Sequence, residues 1–175
     1  MLIDQSWEEF ERQNPLVKFS FYLWGRVRVL FDIRIEILQC LDNAFASDLV
    51  AHESLSRAEM LSWLWILGAY EVVRTMCQAD TCFSLEAAAK LRTLKRKLAI
   101  VRMPAAKMEK IGKSIPVTSG RSAAGIDLKN KDILVGDPSE GHSARELLNH
   151  FYTVFSSLQE DDILAQHESR YRNKN

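Results

Sequence analysis

An all-α bundle of four long helices, with a short N-terminal helix and a loop or small β-hairpin inserted before the last helix, follows from three properties of this chain. Apolar residues recur at spacings of three, four and seven through most of its length, the pattern of helices with one buried face. The 175 residues are 47% hydrophobic and 26% charged, enough to close one core. Glycine and proline, which punctuate periodic segments, gather in residues 111–142. Residues 1–159 are therefore expected to form a single helical-bundle domain with 111–142 as its insertion, and 160–175 a polar, flexible tail.

The first helix is expected near Gln5–Gln13, carrying Trp7 and Phe10 and ending before Asn14-Pro15, because a residue before proline disfavours helix. Pro15 suits a first helical position, and from there Leu16, Phe19, Leu23, Val27, Leu30, Ile37, Leu41 and Phe45 make one continuous stripe over about eight turns. Arg26, Arg28, Asp32, Arg34 and Glu36 fill much of the rest as a solvated face. A third helix is expected to begin at Ser56, where Glu59 stands three residues on as in a capping box. Its residues from Met60 to Met76 are apolar around nearly the whole circumference, as in a helix buried between others. Gly68 lowers helix propensity there, a cost offset if a neighbouring helix approaches closely. Glu71 and Arg74, one turn apart, need partners in such surroundings: each other, Arg26 or Arg34.

Ser84 can cap a fourth helix whose stripe runs through Leu85, Ala88, Leu91, Leu94, Leu98 and Val101 to a stop near Pro104. This is also the basic element: nine lysines and arginines stand against Glu109 alone in residues 90–113, a net +8. Lys90, Lys95, Arg96, Lys97 and Arg102 are the candidate nucleic-acid-binding residues, since such a patch attracts phosphates. The same charge would equally dock on the acidic first half of the chain or on an acidic surface of a second copy. Between residues 111 and 142, Ile126-Asp127-Leu128 and Ile133-Leu134-Val135 flank a polar turn and read as a small hairpin plugging one end of the bundle. The final helix, Ser143 to Leu158, buries Leu147, Phe151, Val154, Phe155 and Leu158.

Several function classes are unfavoured. Formal charge is zero, so no global field draws the chain to nucleic acid or anionic membrane. Met1–Gln5 lacks the basic and apolar regions of a signal peptide, and no stretch approaches eighteen uncharged apolar residues, so a cytoplasmic protein without a membrane partner is expected. Cys77 and Cys82 lack the four closely spaced ligands of a zinc site, so free thiols are expected, with no metal and no cofactor. Gly120-Arg121-Ser122 and Gly136-Asp137 have neither the spacing nor the lysine of a phosphate-binding loop.

Arg145 and His150 open the last helix directly after the polar loop, in Arg145-Glu146-Leu147-Leu148-Asn149-His150. On a helical wheel His150 lies about 80° from the centre of the apolar stripe and Arg145 about 130°, on opposite shoulders and about 7.5 Å apart along the axis. An Arg-x4-His motif at the head of the last long helix of a bundle resembles the HEPN superfamily, many of whose members are ribonucleases. The resemblance implies a homodimer that brings two motifs into one cleft, with RNA as the partner and no metal. His150 would be the general acid/base for attack of the ribose 2′-hydroxyl, and Arg145 would hold the phosphate; histidine titrates near neutrality and arginine matches phosphate oxygens. The family often has Asn, Asp or His directly after the arginine, whereas this chain has Glu146, whose carboxylate would repel RNA phosphate. The rival expectation is a non-catalytic helical interaction or regulatory protein with a protein partner. In a third, a small molecule binds between the Trp63–Trp65 helix and the hairpin.

Overall fold

A computed structural model of the chain describes residues 6–107, 109, 115, 124–137 and 140–167. It is mostly helical with a small antiparallel sheet, in the order α1 (Trp7–Gln13), α2 (Leu16–Phe19), α3 (Phe21–Ala44), α4 (His52–Gln78), α5 (Leu85–Lys107), β1 (Ala124–Asp127), β2 (Asp132–Val135), β3 (His142–Ser143) and α6 (Ala144–Ser156). Among the described residues no helix is long and apolar enough to cross a membrane.

The long helix expected from Pro15 is two helices. Ser20 is extended at φ −164°, ψ 116°, and its hydroxyl accepts from the Leu23 amide at 3.3 Å, so it ends α2 and caps α3. The break sets α2 apart as a single turn in which Leu16, Val17 and Phe19 are all buried. Asn14 secures this corner by accepting from the Trp24 indole at 3.1 Å, while Phe10 packs edge-on against Trp24.

The capping box at Ser56 does not form, for α4 begins a full turn earlier. Ala51 precedes it without a side-chain cap, and the Ala51 amide instead donates to the Ala44 carbonyl at 2.9 Å, closing the loop from α3. Leu55 is buried in the extra turn, and that burial outweighs the capping chemistry. Helix α4 does lie between α3 and α5, the two elements it packs on most extensively. Its apolar character is not buried all round, however: Met60, Trp63 and Leu64 are exposed. Trp65 is 1% exposed and donates its indole N–H to the Leu30 carbonyl at 3.0 Å. Gly68 is where α3 comes close, since a Cβ there would stand 3.3 Å from Leu30 Cδ2. Glu71 takes Arg74 at 2.7 Å and Arg102 at 3.9 Å, while Arg26 and Arg34 go elsewhere.

Helix α5 starts as expected, with Ser84 Oγ accepting from the Ala87 amide at 3.1 Å. It runs three residues past Pro104. The proline lies in the last turn, where it forfeits one backbone hydrogen bond, and the Trp63 indole supplies another to the Ala105 carbonyl at 2.7 Å.

The hairpin forms with Ile126 opposite Ile133 and Asp127 opposite Asp132, and β3 adds a third strand, Leu134 facing Ser143 and Val135 facing His142. Asp127 organises the turn by accepting from the Asn130 amide at 3.0 Å and its side chain at 2.7 Å. Lys131 then adopts φ 52°, and Gly136, at φ 93°, lets the chain leave β2 where a Cβ would stand 3.2 Å from Val101. Ile133 and Val135 belong to the core, so the sheet seals the bundle beside α6.

The expected tail begins as a packed segment. Ile163 is 1% exposed and bridges to Phe83, Leu164 donates its amide to the Cys82 carbonyl at 2.9 Å, and His167 does the same to Phe19 at 2.9 Å. Residues 168–175 lie outside the described residues, as does most of the insertion between 108 and 123.

Candidate functional site

Helix α6 starts on a buried carboxylate. Asp132, 2% exposed, accepts from the Ile133 amide at 2.8 Å, the Arg145 amide at 3.3 Å and the Ser143 hydroxyl at 2.5 Å, and Ser143 Oγ in turn accepts from the Glu146 amide at 3.0 Å. A carboxylate at a helix N-terminus meets the positive end of the helix dipole, so this burial is well compensated. The Arg145 side chain is drawn into the same joint. Its Nε donates to the Lys131 carbonyl at 3.1 Å, and its Nη2 pairs with Asp42 at the end of α3 at 2.8 Å. Arg145 thus ties the hairpin turn, α3 and α6 together.

His150 faces a different neighbour. It is half-buried, its Nδ1 is buried without a hydrogen-bond partner among the described residues, and burial followed by the Lys97 charge of α5 holds its pKa below the usual 6.5. Lys97 also borders a hollow of about 350 Å³ with His142, Ser143 and Glu146 over Val101 and Leu147. Within one chain, then, Arg145 is held toward α3 and His150 lies toward α5. Between them Asn149 accepts from Arg34 at 2.7 Å, and the Arg34 guanidinium stacks 4.5 Å from the Tyr152 ring centre, locking α6 onto α3.

The basic face of α5 divides. Lys90 pairs with Glu86 at 2.8 Å, and Arg102 leans on Glu71 and stacks over Tyr70 at 5.2 Å. Lys95, Arg96 and Lys97 have no carboxylate partner among the described residues. Among the described residues Arg96 donates to Thr93 at 3.2 Å. Lys110 and Lys113, the far end of the expected patch, lie outside the described residues. The thiols are quiet: Cys40 and Cys77 are half-buried and Cys82 buried, and burial pushes the Cys40 and Cys77 pKa values up, away from the thiolate.

A second region was not anticipated from sequence. The outer faces of α3 and α4 enclose an open groove of about 750 Å³, lined by Tyr22, Gly25, Val29 and Ile33 on one side and Leu64 and Gly68 on the other. Tyr22 is 68% exposed, Val29 56% and Leu64 51%. At its edge Arg26 donates to the Tyr22 hydroxyl at 2.7 Å. The available signal was Tyr22 and Val29, apolar residues seven apart that fall off the core stripe of α3. Trp63 and Trp65, by contrast, are spent on Ala105 and Leu30 and form no aromatic wall toward the hairpin.

Fold and sites together define a helical bundle capped by a three-stranded sheet, with a tightly tied helix head and, among the described residues, a large uncovered apolar face on α3 and α4. No family model matches the chain, and no curated protein or solved structure matches it either.

Proposed function

We propose that this chain is a non-catalytic helical interaction protein that receives the apolar side of another α-helix in the α3–α4 groove. The observation that carries this reading is the uncovered apolar face itself: Tyr22, Val29 and Leu64, each at least half exposed, lie along a groove between two long helices. Burying them against a helix removes apolar area from water, and Gly25, where a Cβ would meet nothing within 4 Å, permits close approach. The test uses dilute protein and 1-anilinonaphthalene-8-sulfonate. Bright binding to the native chain that is lost in Leu64→Lys, with urea stability unchanged, is the expected result. Dye binding that is absent, or indifferent to Leu64→Lys, overturns the reading.

A HEPN-like, metal-independent ribonuclease is the second reading, favoured by one observation: His150 is a partly buried imidazole beside Lys97, where burial and that charge hold its pKa low and favour a ring able to accept a proton near phosphate. On this reading Lys95, Arg96 and Lys97 hold the RNA backbone, and a second copy supplies the Arg145 that its own chain holds away from His150. The commitment of Arg145 to Asp42 and Lys131 weighs against it, because phosphate would have to displace both. Cleavage of a labelled single-stranded RNA pool in EDTA, abolished by both His150→Ala and Arg145→Ala, would replace the interaction reading. No cleavage above background removes the ribonuclease.

A further inference from the structure

We infer that the hollow enclosed by α3, α6 and the corner between α1 and α2 is a binding site for a small aromatic carboxylate, whose ring lies among Trp24, Phe31 and Tyr152 and whose acid group sits on Arg28. The hollow shares no lining residue with the α3–α4 groove, so the inference is independent of what occupies that groove.

Two helical stripes form its long walls. Trp24, Val27, Arg28 and Phe31 come from α3, and Tyr152, Phe155 and Ser156 from α6, each set at the spacings of three and four that share one helix face. Residues 13–16, at the turn from α1 into α2, close the remaining side. Leu16, Val27, Phe155 and Leu158 are buried and give the hollow an apolar floor, whereas Arg28, Tyr152 and Ser156 are exposed and stand at its mouth. The enclosed volume is about 260 Å³. Since about 150 Å³ is enough to hold benzene, one ring with a short acid arm fits.

The walls are held in place without a ligand. The Trp24 indole donates to Asn14 at 3.1 Å and packs edge-on against Phe10 at 5.2 Å, while the Tyr152 ring lies 5.1 Å from that of Phe31 and 4.5 Å from the Arg34 guanidinium. Rings already fixed lose little freedom when a further ring packs on them. The charge at the mouth, by contrast, has no counterpart. Among the described residues Arg28 is the one full charge in the lining, and no carboxylate pairs with it, not even Asp32 one turn along α3. A guanidinium forks onto a carboxylate through two parallel hydrogen bonds, and the Tyr152 and Ser156 hydroxyls add donors at the same mouth. One positive charge balances a monoanion. A phosphate monoester carries nearly two negative charges at neutral pH and would be left half unpaired.

NMR titration of the isotope-labelled full chain with phenylacetate tests this. Saturable shifts of the Trp24 indole N–H and the Arg28 Nε–H are expected, with phenylacetamide at least about fivefold weaker because it lacks the charge, and phenyl phosphate no tighter than the acid. Arg28→Met keeps a long side chain and loses the guanidinium, so it should weaken phenylacetate by the same factor. Arg26→Met, two residues away on the α3–α4 groove, should leave the affinity unchanged. Both arginines are exposed, so both variants are expected to keep the wild-type far-UV spectrum. No saturable shift, an amide that binds as well as the acid, or an Arg28→Met variant that binds undiminished overturns the site. Shifts confined to Val29 and Leu64 would put the ligand in the α3–α4 groove and overturn it as well. Phenyl phosphate binding more tightly than phenylacetate would overturn the carboxylate as the preferred anion.

Discussion

Asp132 and Arg145 meet at the head of α6, yet they differ greatly in what they contribute. Asp132 is buried and satisfies two amides and one hydroxyl, so Asp132→Ala strands three donors and is expected to cost about 3 kcal/mol in urea unfolding. Arg145 pairs with an Asp42 that is 68% exposed, so Arg145→Ala should cost about 1 kcal/mol or less. Finding the two costs reversed would mean that the arginine, not the carboxylate, holds the hairpin to α6. His150 makes a pH prediction. Burial and the Lys97 charge both disfavour its imidazolium in the folded chain, so the unfolded chain binds the proton more readily. The stability that the neutral ring contributes is full above the unfolded pKa near 6.5 and is lost as pH falls through the lower folded value. His150→Leu should therefore flatten the fall in urea midpoint below pH 6.5, and a histidine titrating above 6.5 by NMR would contradict the assignment.

Helix ends in this protein are settled by packing as often as by capping residues. Ser20, Ser84 and Ser143 each cap the helix that follows through a hydroxyl. Ser56 does not, because the buried Leu55 extends α4 upstream of it. Ser84 has a second role: its hydroxyl also donates to Asp162 at 2.5 Å, and its amide donates to the Asp162 carbonyl at 2.9 Å, so the start of α5 anchors the segment after α6. That segment places Ile163 in the core beside Phe83, with Phe19 stacked on Phe83 at 4.6 Å. Ile163→Ala should destabilise by about 2–4 kcal/mol, the range for emptying a buried aliphatic site. A loss below about 0.5 kcal/mol, within the range of ordinary surface substitutions, would show that residues 160–167 do not pack in solution as described. Ser84→Ala should cost about 1–2 kcal/mol by removing one cap and one tether together.

For the molecule as a whole, the main asymmetry among the described residues is between a core packed by α2, α5, α6 and the sheet and an apolar face left open on α3 and α4. If that face receives another helix, folding and binding are linked, and the thermal midpoint must rise with the concentration of that helix. Charge is asymmetric as well, since the basic stripe of α5 lies on the helix packed against the other side of α4. Occupation of the α3–α4 face would therefore leave Lys95, Arg96 and Lys97 uncovered.

Periodicity in the sequence determined which segments are helical and most of the residues that enter the core, because a 3.6-residue repeat of apolar side chains has few other ways to leave water, but it did not exclude Leu85, Met60 and Leu64, which stay exposed. It also determined the hairpin, through Asp127 and Asn130, whose turn chemistry is local. What lies between residues far apart in the chain was decided only by the tertiary structure. The break at Ser20 depends on burying Leu16, Val17 and Phe19 together, the order of residues 160–167 on a surface formed by Phe19, Cys82 and Phe83, and β3 on a partner already placed in β2. The same holds for the candidate sites. Arg145 and His150 could be located on α6 from spacing alone, whereas their division between α3 and α5 follows from Asp42 and Lys97, which no local pattern connects to them. The open groove follows from how α3 and α4 lean together at Gly68 and Leu30, a contact between helices that neither helix encodes alone.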